Sequence, residues 1–129
     1  MNRYKFLLAV IATLVFGEMG MAQTAILGPG IGTGRTVFHQ TGSRTLYRDT
    51  VYTLTGLYFV DSTFNLTIQP GTVILGDTVA TLIIYRGATI TANGTANAPI
   101  IFTSLKPAGS RQPGDWGGVI ILGNAPTNQ

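Results

Sequence analysis

Between Leu57 and Thr103 the chain alternates short runs of aliphatic and β-branched residues with turns marked by glycine. Leu-Thr-Ile-Gln-Pro-Gly-Thr-Val-Ile (66–74) is followed by Leu-Ile-Ile-Tyr-Arg-Gly-Ala-Thr-Ile-Thr-Ala (82–92). A stack of similar rungs is the simplest structure such a ladder specifies. From Val51 onward Val, Ile, Thr, Tyr and Phe dominate, which suits a pleated, half-buried surface. Pro70, Pro99, Gly71, Gly76, Gly87 and Gly94 punctuate the run where the chain must turn. No window carries apolar residues at helical spacing through a helix-sized length. The fold class expected is therefore all-β, a parallel β-helix, or solenoid.

Two repeat registers fit the ladder. An offset of sixteen aligns Leu66 with Leu82, Ile68 with Ile84, Gly71 with Gly87 and Ile74 with Ile90. An offset of twenty-four aligns Tyr58-Phe59-Val60 with Leu82-Ile83-Ile84, and Leu66-Thr67-Ile68 with Ile90-Thr91-Ala92. The longer register gives every coil three strands and three corners, and it is the one expected. One coil is then 58–60, 66–68 and 72–74, and the next is 82–84, 89–92 and 100–103. Leu66 and Ile68 point inward and Thr67 outward, with Ile90 and Thr91 repeating the choice. Outward threonines make a surface that pairs well across strands and stays soluble.

Beyond Ser104 the segment 105–115 is polar, with two prolines and two glycines between Lys106 and Asp115, and reads as a loop leaving the coil. Trp116-Gly-Gly-Val-Ile-Ile-Leu-Gly123 returns to strand composition. Solenoids need about three repeats and a polar terminal cap. One reading makes 119–122 an edge strand protected by its tail. The other, preferred, makes the chain the N-terminal piece of a longer protein, with a β-helix incomplete at its C-terminus.

The N-terminal part is different in character. Arg3 and Lys5 precede an apolar run from Phe6 to Gly17, and Gly20-Met21-Ala22 offers small residues for cleavage. This pattern is expected to be a secretory signal peptide over 1–22, too short for a membrane span. An uncleaved anchor is the alternative. Removing 1–22 leaves Arg35, Arg44, Arg48, Arg86, Lys106 and Arg111 against Asp49, Asp61, Asp77 and Asp115, a net charge of +2. These basic residues are scattered, whereas nucleic-acid binding needs a patch or stripe, so no nucleic-acid partner is expected. With no cysteine in the chain, neither disulfides nor a lipid-bearing cysteine can contribute. Residues 23–50 hold Gly28, Gly30, Gly32 and Gly34 without clear periodicity and read as a loose loop or cap, tightening near Thr36-Val37-Phe38. The β-helix is expected to start at 51 and run to 129.

Chemistry-bearing residues are few. A glycosidase needs two carboxylates at a set separation. In the sixteen-residue register Asp61 and Asp77 stack and offer a weak metal or shared-proton site, whereas in the preferred register they lie at different corners. Aspartate at a turn ordinarily bonds its own backbone. His39 is the only histidine, and with Ser43 and Asp49 it lacks the strand–elbow–helix setting of a nucleophile triad. Metal binding by histidine and cysteine is excluded by count, and no cofactor is expected. Gly28-Pro-Gly-Ile-Gly-Thr-Gly34 lacks the strand, helix and Lys of a phosphate loop. The sequons at Asn65 and Asn93 are inert in a bacterial protein, and Asn93-Gly94 reads as a turn pair. Trp116 is the most suggestive residue. Flanked by Asp115, it can present its indole to a sugar, with Tyr58 and Tyr85 as further platforms. The competing reading, preferred, has Trp116 covering the helix edge, with Gly117 and Gly118 allowing close approach.

Three stretches carry a resemblance: 66–74, Arg-Gly-Ala-Thr-Ile-Thr-Ala-Asn-Gly-Thr-Ala-Asn-Ala-Pro-Ile-Ile-Phe-Thr-Ser (86–104), and Pro-Gly-Asp-Trp-Gly-Gly-Val-Ile-Ile-Leu-Gly (113–123). In order and spacing they resemble the secreted right-handed parallel β-helix proteins of Bacteroidetes-type bacteria, over residues 56–129. Many of those proteins end in a type IX secretion sorting domain, which this sequence lacks. The resemblance implies a secreted or cell-surface β-helix. The function expected is a scaffold or adhesin-like role, binding extracellular polysaccharide or a surface protein through an exposed strand face, with no catalysis in this segment. The alternative is the N-terminal part of a polysaccharide lyase or glycoside hydrolase whose active site lies beyond residue 129. A purely structural spacer is the third reading.

Overall fold

The computed structural model describes residues 23–125. The expected signal peptide and its cleavage after Ala22 lie outside the described residues. Eleven strands follow one another: β1 Gln23–Leu27, β2 Val37–His39, β3 Arg44–Leu46, β4 Thr50–Leu54, β5 Leu57–Val60, β6 Asn65–Ile68, β7 Val73–Gly76, β8 Thr81–Ile84, β9 Thr89–Ala92, β10 Ile101–Ser104 and β11 Gly118–Ile121. Every third strand stacks on its predecessor. Sheet A has the order β1-β4-β7-β10, sheet B β11-β8-β5-β2 and sheet C β3-β6-β9. All pairings are parallel. The chain thus winds as a right-handed parallel β-helix of about three coils.

The twenty-four-residue register holds where it was expected. Leu57 pairs with Thr81 and Asn65 with Thr89, each twenty-four residues on. The offset is not uniform, because corners differ in length. Val51 pairs with Val73, twenty-two residues on, and Val73 with Ile101, twenty-eight on across the Asn93–Ile100 corner. Thr81 pairs with Gly118, thirty-seven on, because the 105–117 loop is inserted before β11.

Residues 23–50 depart from the loop or cap expected of them. They form the first coil, with β1, β2 and β3 paired to β4, β5 and β6. The glycine run between β1 and β2 is tied down rather than loose. Gly30 N–H donates to Thr55 Oγ1 at 3.0 Å, and Gly32 N–H donates to Asp77 Oδ2 at 2.7 Å. Gly28 lies so close to Thr55 that a Cβ there would collide with the Thr55 carbonyl, so the residue must be glycine.

The core follows from period two. In each strand of the middle coils alternate residues point inward, and stacking puts like upon like: Tyr58 below Leu82, Val60 below Ile84, Leu66 below Ile90. Leu54, Tyr58, Val60, Leu66, Ile68, Ile74 and Ile84 are essentially inaccessible. Burying each such aliphatic side chain contributes about 1.5–3 kcal/mol. Thr67 lies half-buried and Thr91 exposed on the outer face, as the alternation requires.

Candidate functional site

The long loop after β10 builds a concave surface. Leaving β10, residues 105–117 arch over the end of sheet A and return to β11. Trp116 anchors the arch. Its ring stacks on Phe102 at 6.3 Å with a 9° interplanar angle and joins the edge of the hydrophobic core. It lies against Gly76, where an added Cβ would come within 2.5 Å of the indole. The inward column of sheet A ends in Gly76 and Ser104, two small residues stacked by register, and the indole uses the space they leave. Gly117 then follows the Ala80 carbonyl closely, its N–H donating at 2.6 Å, and a Cβ there would strike Thr81 Oγ1. Trp116 thus packs on the last coil, and of the two glycines after it only Gly117 makes the close approach, since a Cβ on Gly118 would meet nothing within 4 Å.

Asp115 ties the foot of the loop. Its Oδ1 accepts from Lys106 Nζ at 2.9 Å and its Oδ2 from Gln112 N–H at 2.8 Å. The Lys106 hydrogen bond, followed by that from Gln112, holds this carboxyl well below the usual range, at about 2. Arg111 Nε donates to the Lys106 carbonyl at 2.8 Å.

Two adjoining hollows result, meeting at Ser104. The smaller, about 120 Å³, is bordered by Asp77, Thr78, Ser104, Lys106 and Asp115. The larger, about 300 Å³, is bordered by Phe102, Thr103, Arg111, Gln112, Pro113 and Trp116. One hollow offers carboxylates and an ammonium, the other an aromatic pair with a guanidinium and an amide.

The other residues singled out in the sequence are placed elsewhere. Tyr58 is wholly buried and serves as no platform. It stacks on Phe38 at 5.3 Å and its hydroxyl donates to Gln40 Oε1 at 3.1 Å. Burial pushes its phenol up, partly countered by Arg44. Tyr85 is exposed, but it follows β8 in sheet B, away from the loop hollows. Asp61 and Asp77 do not meet: Asp61 faces His39 Nδ1 at 2.8 Å, whereas Asp77 holds Gly32. His39 is the last residue of β2, stacked on Phe59 at 5.1 Å. Neither triad candidate reaches it, since Ser43 Oγ accepts from Asn65 N–H and Asp49 Oδ1 from the Thr50 hydroxyl. Among the described residues no three His, Cys, Asp or Glu side chains cluster as a metal site would require. Nor is any helix there long and apolar enough to cross a membrane.

Sequence reasoning named Trp116 and Asp115 but missed Phe102, Arg111, Gln112 and the arrival of Asp77 beside Asp115. Only the length of the insertion before Trp116 signalled that a loop surface was being built.

Coils and register define a right-handed parallel β-helix. The family model described as the pectate-lyase like beta helix domain matches residues 38–129, and the chain belongs to that family. No curated protein and no solved structure matches it.

Proposed function

We propose that this chain is part of an exported β-helix scaffold that holds an extracellular glycan in the double hollow beneath the 105–117 loop, without cleaving it. The observation that carries this reading is the composition of the larger hollow. Parallel Phe102 and Trp116 rings stand beside Arg111 and Gln112, so apolar ring faces and planar hydrogen-bonding groups converge on one concavity. Sugar rings present the complementary surfaces, C–H faces and hydroxyl edges. Export is supported by the Met1–Ala22 pattern, a charged start, an apolar run and small residues.

The pairing of Asp77 and Asp115 on the smaller hollow favours a second reading, a two-carboxylate glycosidase. A general acid must keep its proton near neutral pH, which requires a raised pKa. Lys106 and Gln112 move Asp115 the other way, to about 2, and Asp77 is engaged by Gly32. Binding without turnover is therefore the stronger reading.

A glycan array probed with the purified chain and with Arg111→Ala tests it. Arg111 is exposed, so its removal leaves the fold intact. Retention of one glycan class by the parent, lost in the variant, is the expected result. Equal signals from both proteins, or no signal at all, would overturn the proposal. New reducing ends or unsaturated products from incubated polysaccharide would instead establish the enzyme.

A further inference from the structure

His39, Asp61 and Tyr85, which the sequence singles out for unrelated reasons and the loop hollow does not use, meet on the outer face of sheet B. Each follows an inward side chain: His39 follows Phe38, Asp61 follows Val60 and Tyr85 follows Ile84. They come from successive coils. His39 is level with Phe59, and Asp61, one residue beyond the Val60–Ile84 pair, is level with Tyr85. The row therefore runs along the stack, and two coil steps span about 10 Å.

Contacts on every side hold the row in place. The His39 ring lies on Phe59 at 5.1 Å and 17°, and its Nδ1 donates to the Asp61 carboxylate, 2.9 and 2.8 Å from the two oxygens. Two contacts thus fix one imidazole, and Nε2 stands at the free edge of the ring with no partner among the described residues. The corner after Asp61 is clamped to the coil above. Ser62 Oγ donates to the Arg86 carbonyl, and Thr63 N–H donates to that of Gly87 at 3.0 Å. Thr63 is a β-branched residue at φ 74, a strained conformation kept only where the surroundings impose it. Tyr85 N–H donates to the Val60 carbonyl at 3.0 Å, while the residue is 46 % exposed. The His39 and Asp61 side chains are 56 % and 38 % exposed.

We propose that this row is a second carbohydrate-binding surface, for a neutral glycan chain lying along the stack. The exposed Tyr85 ring takes the C–H face of a sugar. The Asp61 carboxylate accepts sugar hydroxyls with the lone pairs that His39 leaves free, and His39 Nε2 engages a further hydroxyl. Charge selects the ligand class. A carboxylate at the centre of the row attracts hydroxyl donors and repels the carboxylate of a uronate. The surface lies on sheet B, apart from the loop hollow beside sheet A, and neither site depends on the other.

The test is a nitrogen–proton amide spectrum titrated with cellohexaose, laminarihexaose and xylohexaose, and with tetragalacturonate as the acidic counterpart. At least one neutral oligosaccharide is expected to move the amides of His39, Phe59, Asp61 and Tyr85 together, and tetragalacturonate to bind more weakly. Tyr85→Ala should weaken the neutral ligand about tenfold or more, whereas Tyr85→Phe, which keeps the ring, should retain it. Asp61→Asn should weaken it as well, and Thr91→Ala on the outer face of sheet C should not. Tyr85 is exposed, and a spectrum as dispersed as the parent's shows that each variant keeps the fold. The proposal is overturned if no neutral oligosaccharide moves these amides at about 10 mM. Parent-like affinity in Tyr85→Ala, or tighter binding of tetragalacturonate, overturns it too. So do shifts confined to Phe102 and residues 111–116, which would place the glycan in the loop hollow alone.

Discussion

At Gly76 the hydrogen atom standing in place of a Cβ lets the Trp116 indole close on the last coil. Because the chain has one tryptophan, its fluorescence reports this single contact. Gly76→Ala inserts a methyl where the ring lies. The backbone itself tolerates alanine, since Gly76 is not among the glycines in the left-handed region. The substitution is expected to displace the indole, shift its emission to the red, and cost about 2 kcal/mol, in the range for overpacking a filled site. Loop displacement should also weaken glycan retention, as Trp116 lines the larger hollow. Unchanged emission with unchanged stability would show that the ring is not seated against Gly76.

At the scale of elements, the 105–117 loop depends on a titratable tether. Asp115 has a folded-state value of about 2, held down by Lys106 and then by Gln112, against an ordinary value of 3.8. The folded state therefore binds fewer protons than the unfolded chain in that interval, and stability falls as pH falls. The contribution is complete above about 3.8 and is lost as pH drops through about 2. A Trp116 emission titration should show the loop loosening in that window, and Asp115→Asn should remove the transition. A midpoint near 4 or above in the parent would contradict the tether. Which elements were legible in the sequence follows the same logic of local against distant causes. The middle coils were readable because Leu66-Thr67-Ile68 and Ile90-Thr91-Ala92 carry the inside–outside alternation within each strand. The first coil was not: β2 and β3 are three residues each, and polar Gln40 and Arg44 occupy closing positions at the base. In the corner after Gly76 the left-handed position is held by Val79, at φ 61, a residue type that does not announce it. Arg111 and Gln112 reach the hollow only because Trp116 docks against Gly76, a contact forty residues distant that no local pattern announces.

For the molecule as a whole, stability is built from coils that each touch only their neighbours, with no disulfide to join distant ones. In such a stack an inner coil gains from two interfaces and a terminal coil from one. The second coil, β4 to β6, lies between the coil of β1 to β3 and that of β7 to β9, and its inward side chains Leu54, Tyr58, Val60, Leu66 and Ile68 are buried to 2 % or less. Among the described residues β11 pairs on one side only, with β8, and its apolar residues are exposed. Local opening then needs less free energy at the top than in the middle, because fewer buried contacts break. Amide hydrogen exchange at micromolar protein should therefore rank β5 and β6 slowest and β11 fastest. The base should fall between them, since Gln40 and Arg44 close it without adding a coil. Exchange of β11 as slow as that of β5 in dilute solution would contradict the nearest-neighbour account, since β11 would then be held by contacts beyond those of the described residues.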